Sequence, residues 1–490
     1  MSKQQKTAIT PTRVDNFPEW YQQVIKAADM AENAPVRGCM IIKPYGYAVW
    51  ENMQRVFDDR IKAEGVQNAY FPLLIPLEFI SREAEHVDGF AKECAVVTHH
   101  RLEKGEKGLQ PAESAKLEEP YVIRPTSETI IGDAMSRWIQ SYRDLPLKLN
   151  QWANVMRWEM RTRMFLRTSE FLWQEGHNAF ETAEEAREDA LKMLRVYADF
   201  AENTLAMPVI VGEKTEDERF PGADATYTIE AMMQDGKALQ AGTSHDLGQN
   251  FARSMGIRFQ GRDGSEAYAH TTSWGISTRL IGGMIMTHGD DDGMIMPPKV
   301  APIHVAIIPV LREDSDAAQI LDYCERLSLR LKELGLRVQL DTSDRRTPDK
   351  MWDAVKKGVP LRVEIGGREV EAESLTCVRR DLGRESKANY SLEDFTGKVQ
   401  MLLDEVQAEL LRRAKAFRDS RIRDVSSLAE VKALYIEESA AQGAQNGFAC
   451  ADVSILSDPG FEALCKEFSL TPRCLPFEDK GRKVLIGKAY

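Results

Sequence analysis

Residues 157–177 read RWEMRTRMFLRTSEFLWQEGH, and how this stretch is read decides the fold. Its last seven residues predict a β-strand, on which Phe171, Trp173, Glu175 and His177 share one face because side chains alternate with period two. A buried sheet face is ordinarily aliphatic, so rings, a carboxylate and an imidazole together predict a pocket for a small cationic or apolar ligand. The other reading is a half-exposed strand with scattered polar residues. Around it, positions 137–167 hold Arg137, Arg143, Lys148, Arg157, Arg161, Arg163 and Arg167 against only Asp144 and Glu159. Guanidinium forks match phosphate and carboxylate oxygens, which points to polyphosphate or nucleic acid; a solvated basic loop is the alternative. Further on, Gly275-Ile-Ser277-Thr-Arg279-Leu-Ile-Gly-Gly sets an arginine among small and apolar neighbours. It needs a partner there: a structural ion pair, a phosphate or a stacked base.

Outward from these segments, residues 1–290 mix antiparallel-looking strands such as QWANVMRWEM and ALQAGTSHDLG with helices such as ETAEEAREDALKMLRVYADFAENTL. The expectation is an α+β unit around one large antiparallel sheet. GDDDGMIMPPKVAP, at 289–302, has no sustained periodicity and marks a boundary. Over 299–400 the runs IHVAIIPV, RVQLDT and LRVEIG alternate with helical stretches, predicting a small α/β domain with a largely parallel sheet. A second boundary is expected near Asn389, after which Val399, Leu402, Val406, Leu410 and Phe417 recur at helical spacing as an amphipathic packing helix, and a small α+β C-terminal domain is expected over 401–490.

A chain of 490 residues suits two or three domains. Its 64 Lys plus Arg against 76 Asp plus Glu give a net charge of −12, which excludes a uniformly basic nucleic-acid coat but not a local basic surface. The 43% hydrophobic and 29% charged composition excludes collagenous, mucin-like and disordered classes. Seven cysteines, none in a C-x-x-C pair, predict a reducing compartment. The opening MSKQQKTAITPTRVDNFPEW lacks the apolar core of a secretory signal, and no stretch approaches the roughly 18 apolar residues of a membrane span. A cytoplasmic protein without membrane attachment is expected.

Taken in order, Arg157, Glu159, Arg167, Phe171 and Glu175 meet the R-x-E, loop, R-x-x-x-F-x-x-x-E pattern, and Gly275 and Arg279 meet G-x-x-x-R. Together they resemble the signature of class II aminoacyl-tRNA synthetases. Arg124-Pro-Thr126-Ser-Glu128, FLWQEGH, Gln240-Ala-Gly-Thr243-Ser-His245 and HTTSWGISTR narrow this to a resemblance, over essentially the whole chain, to prolyl-tRNA synthetases of the archaeal and eukaryotic-like form. The stretch between His177 and Gly275 leaves no room for the editing insertion of the typical bacterial form, and the chain continues beyond the α/β domain as the archaeal-like form does.

The resemblance implies a catalytic domain of class II type over 1–290, an α/β anticodon-binding domain over 299–400 and a C-terminal domain over 401–490. It also implies proline, ATP with Mg²⁺ and proline tRNA as substrates, and a homodimer whose interface includes YFPLLIPLEFI, residues 70–80, although that apolar run could equally be core. By resemblance, Arg157 and Arg279 are catalytic; Thr126, Glu128, Arg157, Trp173, Glu175, His177, Phe220 and His245 bind proline, with Phe90 and Glu93 closing over it. ATP falls to Arg157, Glu159, Arg167, Thr168, Phe171, Gln240, Thr243, Ser277 and Arg279. Arg345, Arg346, Lys350, Glu364 and Arg379 are the anticodon candidates. Related C-terminal domains often hold zinc on four cysteines. Here Cys450, Cys465 and Cys474 remain with no histidine after His304, so no structural zinc is expected.

Overall fold

The computed structural model describes residues 7–84, 93–312, 315–440 and 447–490. Seven strands of the first segment lie in one sheet: β1 (Gln67–Asn68), β2 (Leu147–Met156), β3 (Glu170–Phe180), β4 (Val209–Glu213), β5 (Ala225–Met232), β6 (Ala238–Gly248) and β7 (His270–Ser277). Their spatial order is β4-β5-β6-β7-β3-β2-β1, antiparallel throughout except where β1 runs parallel to β2. The helix Ala183–Asn203 begins at a capping box in which Thr182 and Glu185 satisfy each other's backbone amides. It lays Ala190, Met193, Tyr197 and Phe200 against one face of the sheet, in the main core with Phe57 and Trp274. The opposite face is left for polar side chains.

One close approach sets this packing. Gly176 of β3 pairs with Trp274 of β7, and a Cβ on Gly176 would fall within the indole ring. Glycine between Glu175 and His177 therefore lets the Trp274 indole, edge-on to Tyr197 at 6.2 Å, lie flat against the strand.

The second segment holds β8 (Val305–Pro309), β9 (Val338–Leu340), β10 (Leu361–Ile365), β11 (Ser374–Arg379) and β12 (Ala388–Ser391), in the order β9-β8-β10-β11-β12. The first three are parallel, as the alternating pattern predicts; β11 and β12 add an antiparallel edge. The helix Leu392–Asp419 buries Phe395, Val399, Leu402, Val406 and Leu410 on this domain's core. It passes straight through residue 400, so the predicted limit between second and third domains falls inside a helix that carries the chain across.

The last segment contributes β13 (Ile422–Asp424), β14 (Phe448–Asp452), β15 (Thr471–Pro476) and β16 (Lys483–Gly487). These strands do not form a sheet of their own. β15 pairs with β4, Gly212 opposite Pro476 and Glu213 opposite Leu475, and extends the first sheet to eleven strands in the described residues. Gly212 permits the approach: a Cβ there would lie 2.5 Å from the Leu475 carbonyl oxygen and 2.9 Å from Cys474 Sγ. Cys450 and Cys474 pack in one apolar cluster with Phe448 and Leu485, and Cys465 packs in another with Tyr435.

Candidate active site

A cavity of about 320 Å³ opens on the polar face of the sheet. β3 supplies Phe171, Trp173, Glu175 and His177, all on the one face that strand periodicity predicts. Register sets their neighbours: Trp173 lies opposite Ser277, Glu175 opposite Gly275 and His177 opposite Ser273, and across β7 Thr243 and His245 oppose Gly275 and Ser273. Thr126, Glu128, Arg157, Phe220, Gln240 and Arg279 complete the wall.

One end is built around buried Glu175. Its carboxylate accepts from the Ser127 amide at 3.2 Å, the Ser127 hydroxyl at 2.5 Å, Gln151 Nε2 at 3.0 Å and His177 Nε2 at 2.9 Å. Burial raises the carboxyl, but the His177, Ser127 and Gln151 hydrogen bonds outweigh it and hold the net shift downward. His177 is the mirror case: burial opposes its charge, while the bond to Glu175 and the field of Glu128 raise it overall. Glu175 and His177 are thus a hydrogen-bonded pair that favours the charged form of each, with the carboxylate held by local donors. Glu128, which opens the helix Glu128–Trp138, accepts from the Thr126 hydroxyl. His245 is neutral, its pKa pushed down to about 3 by burial and then by the His177 charge; Nδ1 meets the Thr226 hydroxyl at 3.1 Å and the ring tilts over Phe220 at 4.6 Å.

Arg157 lies between this end and the next. Its Nε donates to the Pro125 carbonyl at 2.9 Å, and the guanidinium sits 5.7 Å from the Phe171 ring and 5.3 Å from Trp173. Burial lowers its pKa, opposed by Glu128 and Glu175. Arg279, first residue of the helix Arg279–His288, donates from Nε to the Leu166 carbonyl at 3.2 Å and from its amide to Ser277 Oγ at 3.2 Å. Its pKa falls to about 10 through burial and the nearby cations Arg167 and Arg157, which leaves it protonated at neutral pH. Arg157 and Arg279 both line the cavity here, and two guanidinium groups make this end a receptor for a polyanion.

Glu159, Arg167 and Thr168 do not line the cavity. The loop 157–170 closes on itself through Arg163 and Arg167 backbone bonds of 2.7 and 2.9 Å. Arg167, its side chain 51% exposed, faces Glu159 at 3.7 Å, and the Thr168 hydroxyl donates to the Glu170 carbonyl at 2.7 Å. Phe90 lies outside the described residues; Glu93 accepts at its carbonyl from the Trp158 amide at 2.8 Å and joins this loop rather than the cavity. The structure adds wall residues the sequence did not single out, among them Lys214, Arg219, Thr226 and Ser273. Ser273 was readable, two positions before Gly275 on the same strand face. Lys214 was not, since its charge partner is set by strand pairing.

In the second domain, Arg345 pairs with Asp341 at 2.6 Å, Arg346 with Asp349 at 2.8 Å and Glu364 with Arg362 at 3.0 Å. Arg379 is held by Asp381 at 2.9 Å and Glu405 at 2.6 Å. Lys350, also an anticodon candidate, is buried, and its Nζ donates to the Asp341 and Ser343 carbonyls at 3.0 and 2.6 Å. It braces the loop that presents Arg345 and Arg346.

Residues 112–288 match the family model described as the tRNA synthetase class II core domain (G, H, P, S and T), and residues 304–402 match the anticodon binding domain. Fold and site together define a class II aminoacyl-tRNA synthetase. The chain is 54% identical to a proline–tRNA ligase of Bdellovibrio bacteriovorus, with 98% of this chain and 97% of that one covered. It is 53% identical to the proline–tRNA ligase of Paramagnetospirillum magneticum, over 98% and 96%. Among solved structures, prolyl-tRNA synthetase from Cryptosporidium parvum complexed with halofuginone and AMPPNP superposes with a TM-score of 0.89 at 38% identity, covering 99% of both chains. The same enzyme complexed with L-proline and AMP gives 0.87 at 37% identity, over 99% and 97%. This chain belongs to the proline–tRNA ligase family.

Proposed function

We propose that the chain activates L-proline with ATP to prolyl-adenylate, releasing pyrophosphate, and then esterifies the 3′ end of proline tRNA, releasing AMP. The observation that carries this reading is one cavity with a carboxylate-rich end, an arginine-rich end and Arg157 between them. Glu128, with Thr126, takes the secondary ammonium of proline; Trp173, Phe220 and neutral His245 wall its ring. The Glu175–His177 pair positions that wall. Arg157 bridges the proline carboxylate and the α-phosphate, letting two anions approach and stabilising charge as the phosphorane forms.

ATP enters as its Mg²⁺ complex, with Gln240, Thr243 and Ser277 beside the phosphates, Phe171 under the base and Arg279 across it. Glu159, Arg167 and Thr168, on the loop beyond the cavity, reach the nucleotide only if that loop folds inward. Arg345, Arg346, Glu364 and Arg379 form the face offered to the anticodon.

The working unit is a homodimer. Within 70–80, Phe71, Ile75 and Ile80 are buried while Tyr70 and Leu74 are exposed, so the run has a core half and a half free to meet a second copy. Among the described residues no helix is long and apolar enough to cross a membrane, and the seven free thiols suit the cytoplasm.

The reading is tested by charging proline tRNA with labelled proline, threonine and glycine. Charging with proline is the expected outcome. Charging with another amino acid moves the specificity within the class, and tRNA binding without any charging makes the chain a non-catalytic relative.

A further inference from the structure

Lys214, Glu230 and Arg473 form a buried charged triad behind the cavity. Lys214 follows β4, lines the cavity with a side chain only 3% exposed, and donates from Nζ to Glu230 Oε1 at 2.9 Å. Glu230, on β5 and 0% exposed, also accepts from the Thr228 hydroxyl at 2.9 Å. Its other oxygen accepts from Arg473 Nε and Nη2 at 3.2 and 2.9 Å. Arg473 belongs to β15, 243 residues further along the chain.

Burying three charges is a poor way to join two modules, because apolar side chains of similar volume do so as well or better. The junction already has the β4–β15 pairing and the apolar cluster of Met232, Cys450, Cys474 and Leu485. What the triad does beyond joining is local to the nucleotide end. Glu230 pairs with Gln240 and the ladder then slips one residue at Ala241, and backbone or side chain of Gln240, Ala241 and Gly242 all line the cavity. Arg279 lies within the field of both Glu230 and Arg473.

We propose that Arg473 is a positioning residue for the ATP-dependent step: through Glu230 it holds Lys214 Nζ and Gln240, beside the bulge, at the cavity wall, so the C-terminal module completes the ATP subsite. This rests on reading the cavity as the site of proline activation. A carboxylate shared by two cations also leaves the wall with a surplus of positive charge facing a polyanion.

The test is proline-dependent ATP–pyrophosphate exchange with the full chain, comparing wild type, Arg473→Met and Arg473→Lys. In Arg473→Met the KM for ATP is expected to rise about tenfold and that for proline to stay within about twofold; Arg473→Lys, which keeps the charge but loses the fork, should recover most of the loss. An unchanged KM for ATP, both KM values rising together, or Arg473→Lys performing no better than Arg473→Met would overturn the proposal. If Arg473→Met does not fold, Arg473→Lys decides: a rise of about threefold for ATP alone supports it, and wild-type values refute it. Wild type without proline-dependent exchange would remove the reading of the cavity and this inference together, whereas wild-type exchange with unaffected variants removes the inference alone.

Discussion

At the scale of single residues, the site depends on charges kept apart from water and assigned to opposite ends. Arg157 is the sharpest case, since it lines the cavity within the field of the carboxylates Glu128 and Glu175 on one side and of the cation Arg279 on the other. Arg157→Ala should lower pyrophosphate exchange by at least about a hundredfold, the usual cost of removing one donor aimed at developing charge; near-normal exchange would exclude the bridging role. Glu175→Gln leaves His177 buried beside a neutral amide. The His177 pKa, read by NMR, should then fall, because the bond and charge of Glu175 no longer offset burial and only Glu128 still does, and KM for proline should rise. Residues whose placement follows strand alternation, such as Phe171, Trp173, Glu175 and His177, were legible in the sequence. Glu159, Arg167 and Thr168 matched a motif equally well yet lie outside the cavity, because backbone bonds within their loop decide where they point. Lys214 and Arg473 were illegible because Glu230 unites them only once β4, β5 and β15 are paired.

Elements explain what single residues cannot. β3 is paired on both sides without a register shift, and its one glycine, Gly176, is where Trp274 needs room. Gly176→Ala should cost about 1–3 kcal/mol in chemical denaturation and weaken proline binding, as the displaced indole disturbs Glu175 and His177 on either side; a fully stable, fully active variant would contradict that packing. The loop carrying Arg345 and Arg346 is braced by Lys350. The double variant Arg345→Ala/Arg346→Ala should reduce tRNA charging by about tenfold through lost phosphate contacts while leaving pyrophosphate exchange intact; equal loss of both would place these residues elsewhere in the mechanism. The α/β alternation of the second domain and the long amphipathic helix were readable from local pattern. The eleven-stranded sheet was not, since β15 joins β4 from the far end of the chain and no local periodicity announces such a pairing.

The whole molecule keeps three buried histidines neutral, and this sets its acid response. Burial pushes His245 down to about 3 and His288 and His304 down to about 4, His245 also under the charge of His177 and His304 also under that of Arg337. The unfolded chain takes up these protons as pH falls below about 6.5 and the folded chain does not. Their stabilisation is therefore present above about pH 6.5 and is lost on acidification toward pH 4, each group contributing up to about 1.4 kcal/mol per pH unit. Thermal unfolding midpoints should fall steadily from pH 7 to 5, and His288→Gln should flatten that slope; a flat wild-type profile would show that the histidines protonate in place. Elemental analysis should find well under one zinc per chain, because Cys465 and the Cys450–Cys474 pair occupy separate apolar clusters. The central claim is the chemistry of one cavity, and ATP–pyrophosphate exchange with each amino acid in turn tests it most directly. Exchange strongest with proline is predicted; exchange strongest with another amino acid, or none with any, would contradict it.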